Sequence, residues 1–259
     1  MKLEEKIAIV TGAGSGLGKA IAHSMVAEGA TVVVADIDPK GGRETVEEIS
    51  SKYNDGREHA WFQEVDVSNE DSVKTMVKNV IGKFGKIDIL VNNAGMLYRK
   101  TLLEHSLEEW QKVISVDLTG VFLCTREVVP DMLKRNKGKI VNVASIAGQV
   151  GYAYPSYSAA KAGVINFSRS LVFDLAPKGI NVNCICPGAF LTPINEGLAK
   201  NPVLFQRVLK KMPQKRLGRP EEIGKAAVFL SSEDSDYING VALTVDGGVT
   251  SFVTFLEEQ

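Results

Sequence analysis

Tyr157 and Lys161 stand four residues apart, which on a helix puts both side chains on one face. A phenol ordinarily loses its proton near pH 10, and an ammonium beside it favours the phenolate and brings that loss toward neutrality. Such a pair can take the proton of an alcohol, or return one to a carbonyl oxygen in the reverse step. Tyr-x-x-x-Lys alone is a weak signal, because exposed helices carry that spacing by chance. Ser145, twelve residues before Tyr157 at the end of an apolar run, strengthens it by offering a hydroxyl that can meet the phenol across a loop.

A second constellation lies near the start of the chain. The run Thr11-Gly12-Ala13-Gly14-Ser15-Gly16-Leu17-Gly18 follows a short apolar strand and opens a helix. Glycines there permit a tight turn and a close approach of backbone to a pyrophosphate, while the helix N-terminus offers free N–H groups to the anion. A nucleotide-triphosphate loop is excluded, since Ala13 stands where its first glycine is required and Ala20 where Ser or Thr should follow Lys19. Asp36, 18 residues after Gly18, closes the second strand, where an acid accepts hydrogen bonds from the adenosine ribose hydroxyls. No Arg or Lys follows it until Lys40, which favours NAD(H) over NADP(H).

These residues must be held by alternating elements. Apolar, β-branched runs at 6–10, 31–36, 60–67, 87–93, 139–145, 180–186 and 241–246 predict strands buried on both faces. Helical periodicity predicts helices near 16–28, 40–53, 69–84, 107–134, 156–176 and 220–231, with a capping box at Ser106–Glu109 and Pro220 in a first turn. This pattern predicts one doubly wound α/β Rossmann domain over 1–259, with a mostly parallel seven-stranded sheet flanked by helices.

Composition narrows the classes. With 30 Lys+Arg against 31 Asp+Glu, the net charge of −1 argues against a nucleic-acid or anionic-membrane binder. No run reaches the ~18 apolar residues that a spanning helix needs. The N-terminus does not read as a signal peptide. Cys124, Cys184 and Cys186 form no CxxC pair and read as small buried residues in a reducing, cytoplasmic setting. His23, His59 and His105 are scattered, and no cluster has metal-ligand spacing.

Taken together, the chain resembles the classical short-chain dehydrogenase/reductase family. The resemblance covers nearly the whole length and rests on TGAGSGLG at 11–18, Asp66-Val67, Asn92-Asn93-Ala94-Gly95, Ser145, Tyr157 to Lys161, and Pro187-Gly188 with Thr192. It implies an NAD cofactor held by Gly12, Ser15, Gly16, Leu17, Gly18 and Asp36, with Asp66 and Val67 at the adenine. It further implies that Asn93, Ala94 and Gly95 line the groove, that Pro187, Gly188 and Thr192 hold the carboxamide end, and that Lys161 bonds the nicotinamide ribose. Ser145 would orient the substrate oxygen and Tyr157 would exchange its proton. Asp117 departs from the pattern, standing where the family usually has an asparagine whose backbone carbonyl leads a water to the lysine. Either the carboxylate replaces the amide structurally, or it alters the proton path.

Substrate identity is not written in these motifs. The segment 188–219 resembles the family's substrate lid and carries Lys200, Arg207, Lys210, Lys211, Lys215, Arg216 and Arg219 against one acid, Glu196. That excess either guides an anionic substrate such as a sugar acid or acidic acyl carrier, or simply faces solvent. Met96, Tyr98, Gln149, Tyr152 and Tyr154 are candidate pocket residues, while His105 reads as a loop residue before a helix. The apolar tail residues Phe252, Val253, Phe255 and Leu256 want cover from a neighbouring subunit, and the resemblance implies a homotetramer. The expected activity is reversible oxidation of a secondary alcohol, polyol or sugar. A 3-oxoacyl carrier-protein reductase and a non-catalytic NAD-binding scaffold are the alternatives.

Overall fold

The computed structural model describes residues 1–53, 55–193 and 201–252. Strands β1 (Ile7–Thr11), β2 (Thr31–Asp36), β3 (Ala60–Glu64), β4 (Ile89–Asn92), β5 (Gly138–Val143), β6 (Ile180–Pro187) and β7 (Ala242–Val245) form one sheet in the order β3-β2-β1-β4-β5-β6-β7. Every pairing between neighbours is parallel. Every residue of β1, β4 and β5 is buried, as their near-continuous apolar runs require of strands covered on both faces.

Two helical layers supply that cover. On one face, α1 (Gly16–Ala27) and α8 (Pro220–Ser231) pack Ile21, Met25, Ile223 and Val228 against the sheet, with α2 (Pro39–Lys52) beside them. On the other, α3 (Glu70–Phe84) and α5 (Gly120–Arg135) contribute Val73, Met76, Val128 and Met132. Helix α6 (Pro155–Leu175) lies against β6 through Val164 and Ile165. Each fully buried aliphatic side chain contributes about 1.5–3 kcal/mol to this packing.

The expected single helix over 107–134 is two helices. After α4 (Leu107–Ile114), which starts on the Ser106–Glu109 capping box, a π-helical turn spans Ser115–Thr119 before α5 begins. The wider turn inserts a residue without breaking the rod, so apolar periodicity alone does not reveal it. A helix not expected from the sequence, α7 (Pro202–Lys210), lies within the segment 188–219 and starts on a proline. Sheet order reverses direction between β1 and β4, so the C-terminal strand ends open into a crevice there, the usual ligand position in a doubly wound sheet.

Candidate active site

The crevice is a single cavity of about 760 Å³. At one end lies the glycine turn between β1 and α1. Its tightness comes from Gly18, where a Cβ would stand 2.1 Å from the Gly12 carbonyl oxygen. The turn is clamped from β4: the Asn93 side-chain amide donates to Thr11 O at 2.9 Å and Gly12 O at 3.1 Å. Thr11 Oγ1 in turn accepts the backbone N–H groups of Asn93 and Ala94 at 3.0 and 3.1 Å. Asn93 thus borders the cavity, yet its amide is spent on shaping the turn.

Gly12, Ser15, Gly16 and Leu17 line the cavity, whereas Gly18 lies beneath the turn and supports it. Asp36, Asp66 and Val67 line it on the side of β2 and β3. Asp36 Oδ2 accepts Gly14 N–H at 2.7 Å and Oδ1 accepts Asp38 N–H at 2.9 Å, which fixes the carboxylate at the mouth. Lys40 points toward Glu44 at 3.9 Å, and Arg43 stacks on Phe62 at 5.5 Å. Asp66 Oδ1 accepts both the backbone N–H and the hydroxyl of Ser68. Pro187, Gly188 and Thr192 line the cavity from the end of β6.

Three strand steps away from Asp36, about 14 Å along the sheet, the chemical groups converge. Ser145 follows β5 and its Oγ accepts Ala147 N–H at 3.1 Å, which leaves the hydroxyl proton uncommitted by that bond. Pro155 at the first position of α6 places Tyr157 in the first turn, half-buried at the cavity wall. One turn on, Lys161 is buried, with its Nζ 5.6 Å from the Tyr157 ring centre. That Nζ donates to Val143 O at 3.1 Å and lies 3.2 Å from Asp117 Oδ2.

Asp117 projects inward from the π-helical turn and is fully buried, its Oδ1 accepting Met96 N–H at 2.8 Å. Burial pushes its carboxyl above the usual carboxylate range, against the pull of the Lys161 ammonium. Burial alone would lower the Lys161 pKa, but the nearby Asp117 and Tyr157 outweigh it and the pKa is raised. Space for the pair depends on Gly95, where a Cβ would sit 3.0 Å from Asp117 Oδ2 and 3.3 Å from Lys161 Nζ. Gly148 is a positioning residue that sequence reasoning passed over. A Cβ there would stand 2.6 Å from the Lys161 carbonyl carbon, so this glycine lets the turn after Ser145 lie on α6.

Of the candidate pocket residues, Met96 and Tyr152 line the cavity. Gln149 instead accepts the Thr244 hydroxyl, Tyr98 packs edge-on against His105, and Tyr154 packs against Tyr152. His105 lies in the loop before α4 and bonds the Ser156 hydroxyl through Nε2 at 2.9 Å. Arg99, absent from the sequence reading, lines the cavity with its guanidinium 5.7 Å from the Tyr154 ring centre.

The basic segment 188–219 is less uniform than its sequence suggests. Arg216 forms two bonds with Glu222, at 2.8 and 2.7 Å, and Arg219 lies 3.7 Å from the same carboxylate. Glu222 belongs to α8, just beyond the segment, so a charge count over 188–219 misses it. Lys215 donates to Lys210 O, while Lys211 lines the cavity. Glu196, Lys200, Val253, Phe255 and Leu256 lie outside the described residues. Cys124, Cys184 and Cys186 are free and buried. Among the described residues there is no cluster that could hold a metal, and no helix long and apolar enough to cross a membrane.

Parallel strands that end in a glycine turn at one side and in Ser, Tyr and Lys at the other define a nucleotide-dependent oxidoreductase. Comparison with known proteins agrees: the family model described as Enoyl-(Acyl carrier protein) reductase matches residues 12–250. The chain belongs to the classical short-chain dehydrogenase/reductase family. It is 40% identical to the (2S)-[(R)-hydroxy(phenyl)methyl]succinyl-CoA dehydrogenase subunit BbsD of Thauera aromatica, over 97% of this chain and 99% of that one. It is 38% identical to the 3-oxoacyl-[acyl-carrier-protein] reductase FabG of Thermotoga maritima, over 96% and 99%. A solved structure described as a putative gluconate dehydrogenase from Agrobacterium tumefaciens superposes with a TM-score of 0.92 at 36% identity, covering 97% of this chain and 98% of the other. The protein is therefore a dehydrogenase/reductase acting on CH–OH and C=O groups with a nicotinamide dinucleotide.

Proposed function

We propose that the chain interconverts a secondary alcohol and its ketone with NAD(H), its substrate being a polyol, sugar or sugar acid. The observation that carries this reading is the convergence of Ser145, Tyr157 and Lys161 on a cavity whose other end is bordered by the Asp36 carboxylate. The cavity's size suits a dinucleotide with a small substrate beside it. When bound, the nicotinamide ring accepts or supplies the hydride. In the oxidation direction Tyr157 takes the hydroxyl proton as the carbon gives up its hydride, and Ser145 donates to the substrate oxygen and fixes its orientation. Lys161 holds a positive charge beside the phenol and would be the residue to hold the nicotinamide ribose when the cofactor is bound.

Preference for NAD(H) is supported by Asp36, whose charge repels a 2′-phosphate while accepting from ribose hydroxyls. The orientations of Lys40 and Arg43 toward other partners support it further. Asp36→Ser should lower kcat/KM with NAD by about 10–100-fold, the value of one or two charge-assisted hydrogen bonds. The same change should raise kcat/KM with NADP. Steady-state kinetics with both cofactors checks this, and an unchanged ratio would remove Asp36 from cofactor selection. That cofactor preference also weighs against the acyl carrier reductase reading, while the assembled catalytic groups weigh against a scaffold without turnover.

Segment 188–219 acts in this reading as the substrate lid. Arg99 and Lys211 are cations lining the cavity, and they favour substrates bearing a carboxylate. The likeness to a putative gluconate dehydrogenase points the same way. Purified protein tested with NAD against polyols, sugar acids and 3-hydroxyacyl thioesters separates the candidates, and failure to turn over any of them overturns the dehydrogenase reading. We further assign a homotetramer in the cytoplasm. Half-exposed Phe252 and strongly exposed Phe173 need cover, and buried free thiols suit a reducing compartment. Light scattering at micromolar concentration should give about four times the chain mass, and a monodisperse monomer would refute the assembly.

A further inference from the structure

A fully buried carboxylate next to a buried lysine is an expensive arrangement, kept in folded proteins where charge or position matters. An ammonium has three donor directions. One of those on Lys161 is directed at Val143 O, Asp117 Oδ2 lies 3.2 Å from Nζ as an ion-pair partner without a hydrogen bond, and the Tyr157 ring centre stands 5.6 Å away. A lone ammonium acts on the phenol as a full charge. An ammonium with a carboxylate 3.2 Å from it acts as a dipole, whose field falls off more steeply with distance.

We propose that Asp117 is a positioning residue which anchors and offsets the Lys161 charge, so that Tyr157 keeps its proton to higher pH and alcohol oxidation is driven to the alkaline side. The proposal rests on the dehydrogenase reading for its rate effect, though not for its effect on the phenol. It equips Tyr157 at neutral pH as a proton donor to a carbonyl. The reaction's equilibrium stays fixed by substrate and product, and only the pH range of each direction moves.

Other charged or titratable groups near the pair come from every packed element. From β6, the Cys184 and Cys186 thiols are pushed by burial up to about 11 and about 12, and so stay neutral. Arg169 of α6 acts on both thiols with a constant charge. From the loop before α6, burial raises the Tyr152 pKa while Arg99 opposes it. His105 bonds Ser156, the neighbour of Tyr157, and is the imidazole whose protonation could imitate an effect of Asp117.

The test has two readouts. Tyrosinate absorbance, taken as wild type minus Tyr157→Phe across pH without any substrate, reads the phenol directly. Its midpoint should fall when Asp117 is replaced by Asn or Ser, and an unchanged or higher midpoint in both variants overturns the proposal. In Asp117→Asn and Asp117→Ser the ascending limb of kcat/KM for alcohol oxidation should move down by about one pH unit, the effect of removing a close opposing charge. An unmoved limb overturns the proposal, as does an equal shift in His105→Asn. Thermal melting establishes that the variants are folded, and should neither Asp117 variant fold, the proposal falls, since a residue that offsets charge is replaceable by its own amide. If no alcohol is oxidised at all, the dehydrogenase reading fails, and the absorbance titration still decides the role of Asp117.

Discussion

Tyr157→Phe is expected to lower kcat/KM by about 10³-fold or more while NADH binds as before. The substitution keeps the ring that stands 5.6 Å from Lys161 Nζ and removes only the atom that carries the proton. General acid–base groups commonly contribute about 10²–10⁴-fold, and in the proposed mechanism the phenol carries the proton in both directions. Tyr152 offers a second phenol in the same cavity, but burial pushes its pKa up, opposite to the need of a base, and Arg99 only opposes that. Steady-state rates together with a fluorescence titration of NADH check the expectation. Wild-type turnover in the variant would mean that the proton leaves by another group.

Lys161→Met should cost stability as well as activity. The change strands Asp117 in a fully buried position where its counter-charge stood 3.2 Å away. Breaking a buried pair from one side typically costs about 3–5 kcal/mol, or about 10 °C in Tm for a chain of this size. The pH dependence follows from the direction of the Asp117 shift. Its carboxyl is already raised by burial, and loss of the Lys161 attraction raises it further. A group with a raised folded-state pKa holds more protons folded than unfolded, so its contribution is present below the unfolded pKa and is lost as pH rises. The melting deficit of Lys161→Met should therefore widen from pH 5 to pH 8. Adding Asp117→Asn should recover most of the stability and none of the activity. If the double variant melts no higher than the single one, the stability loss arises from packing and not from the stranded carboxylate.

The parts of this site that were legible in the sequence are those encoded locally. The glycine turn needs only neighbouring residues, and Tyr157 and Lys161 need only one helical turn. Alternation of apolar strands and amphipathic helices likewise carried the doubly wound sheet, including its parallel direction. What escaped depends on partners distant in sequence. Asn93 reads as a groove residue, yet its amide is used 82 positions away on Thr11. Glu222 pairs with Arg216 and lies beside Arg219 from outside the window in which their charge was counted. The Asp117–Lys161 contact requires the π-helical turn to rotate a side chain inward, and VISVDLTGVF continues an ordinary helical pattern through that turn. Helix α7 did have a signal, with Pro202 at its start and Phe205 and Leu209 four apart.

The strand order also sets a schedule for assembly during synthesis. β1 is flanked by β2 and β4, so the sheet's first four strands are complete once the chain has emerged to Asn92. From there β5, β6 and β7 are added one after another at a single growing edge, each beside the strand made just before it. The nascent chain can therefore shape its glycine turn while Ser145, Tyr157 and Lys161 are still unmade. Until β5 arrives, the newly exposed rim of β4 is an open template for pairing with the wrong strand. The synthesis of the residues between Asn92 and Gly138 is the first such interval, and the half of the sheet that carries Ser145, Tyr157 and Lys161 is built only after it has passed.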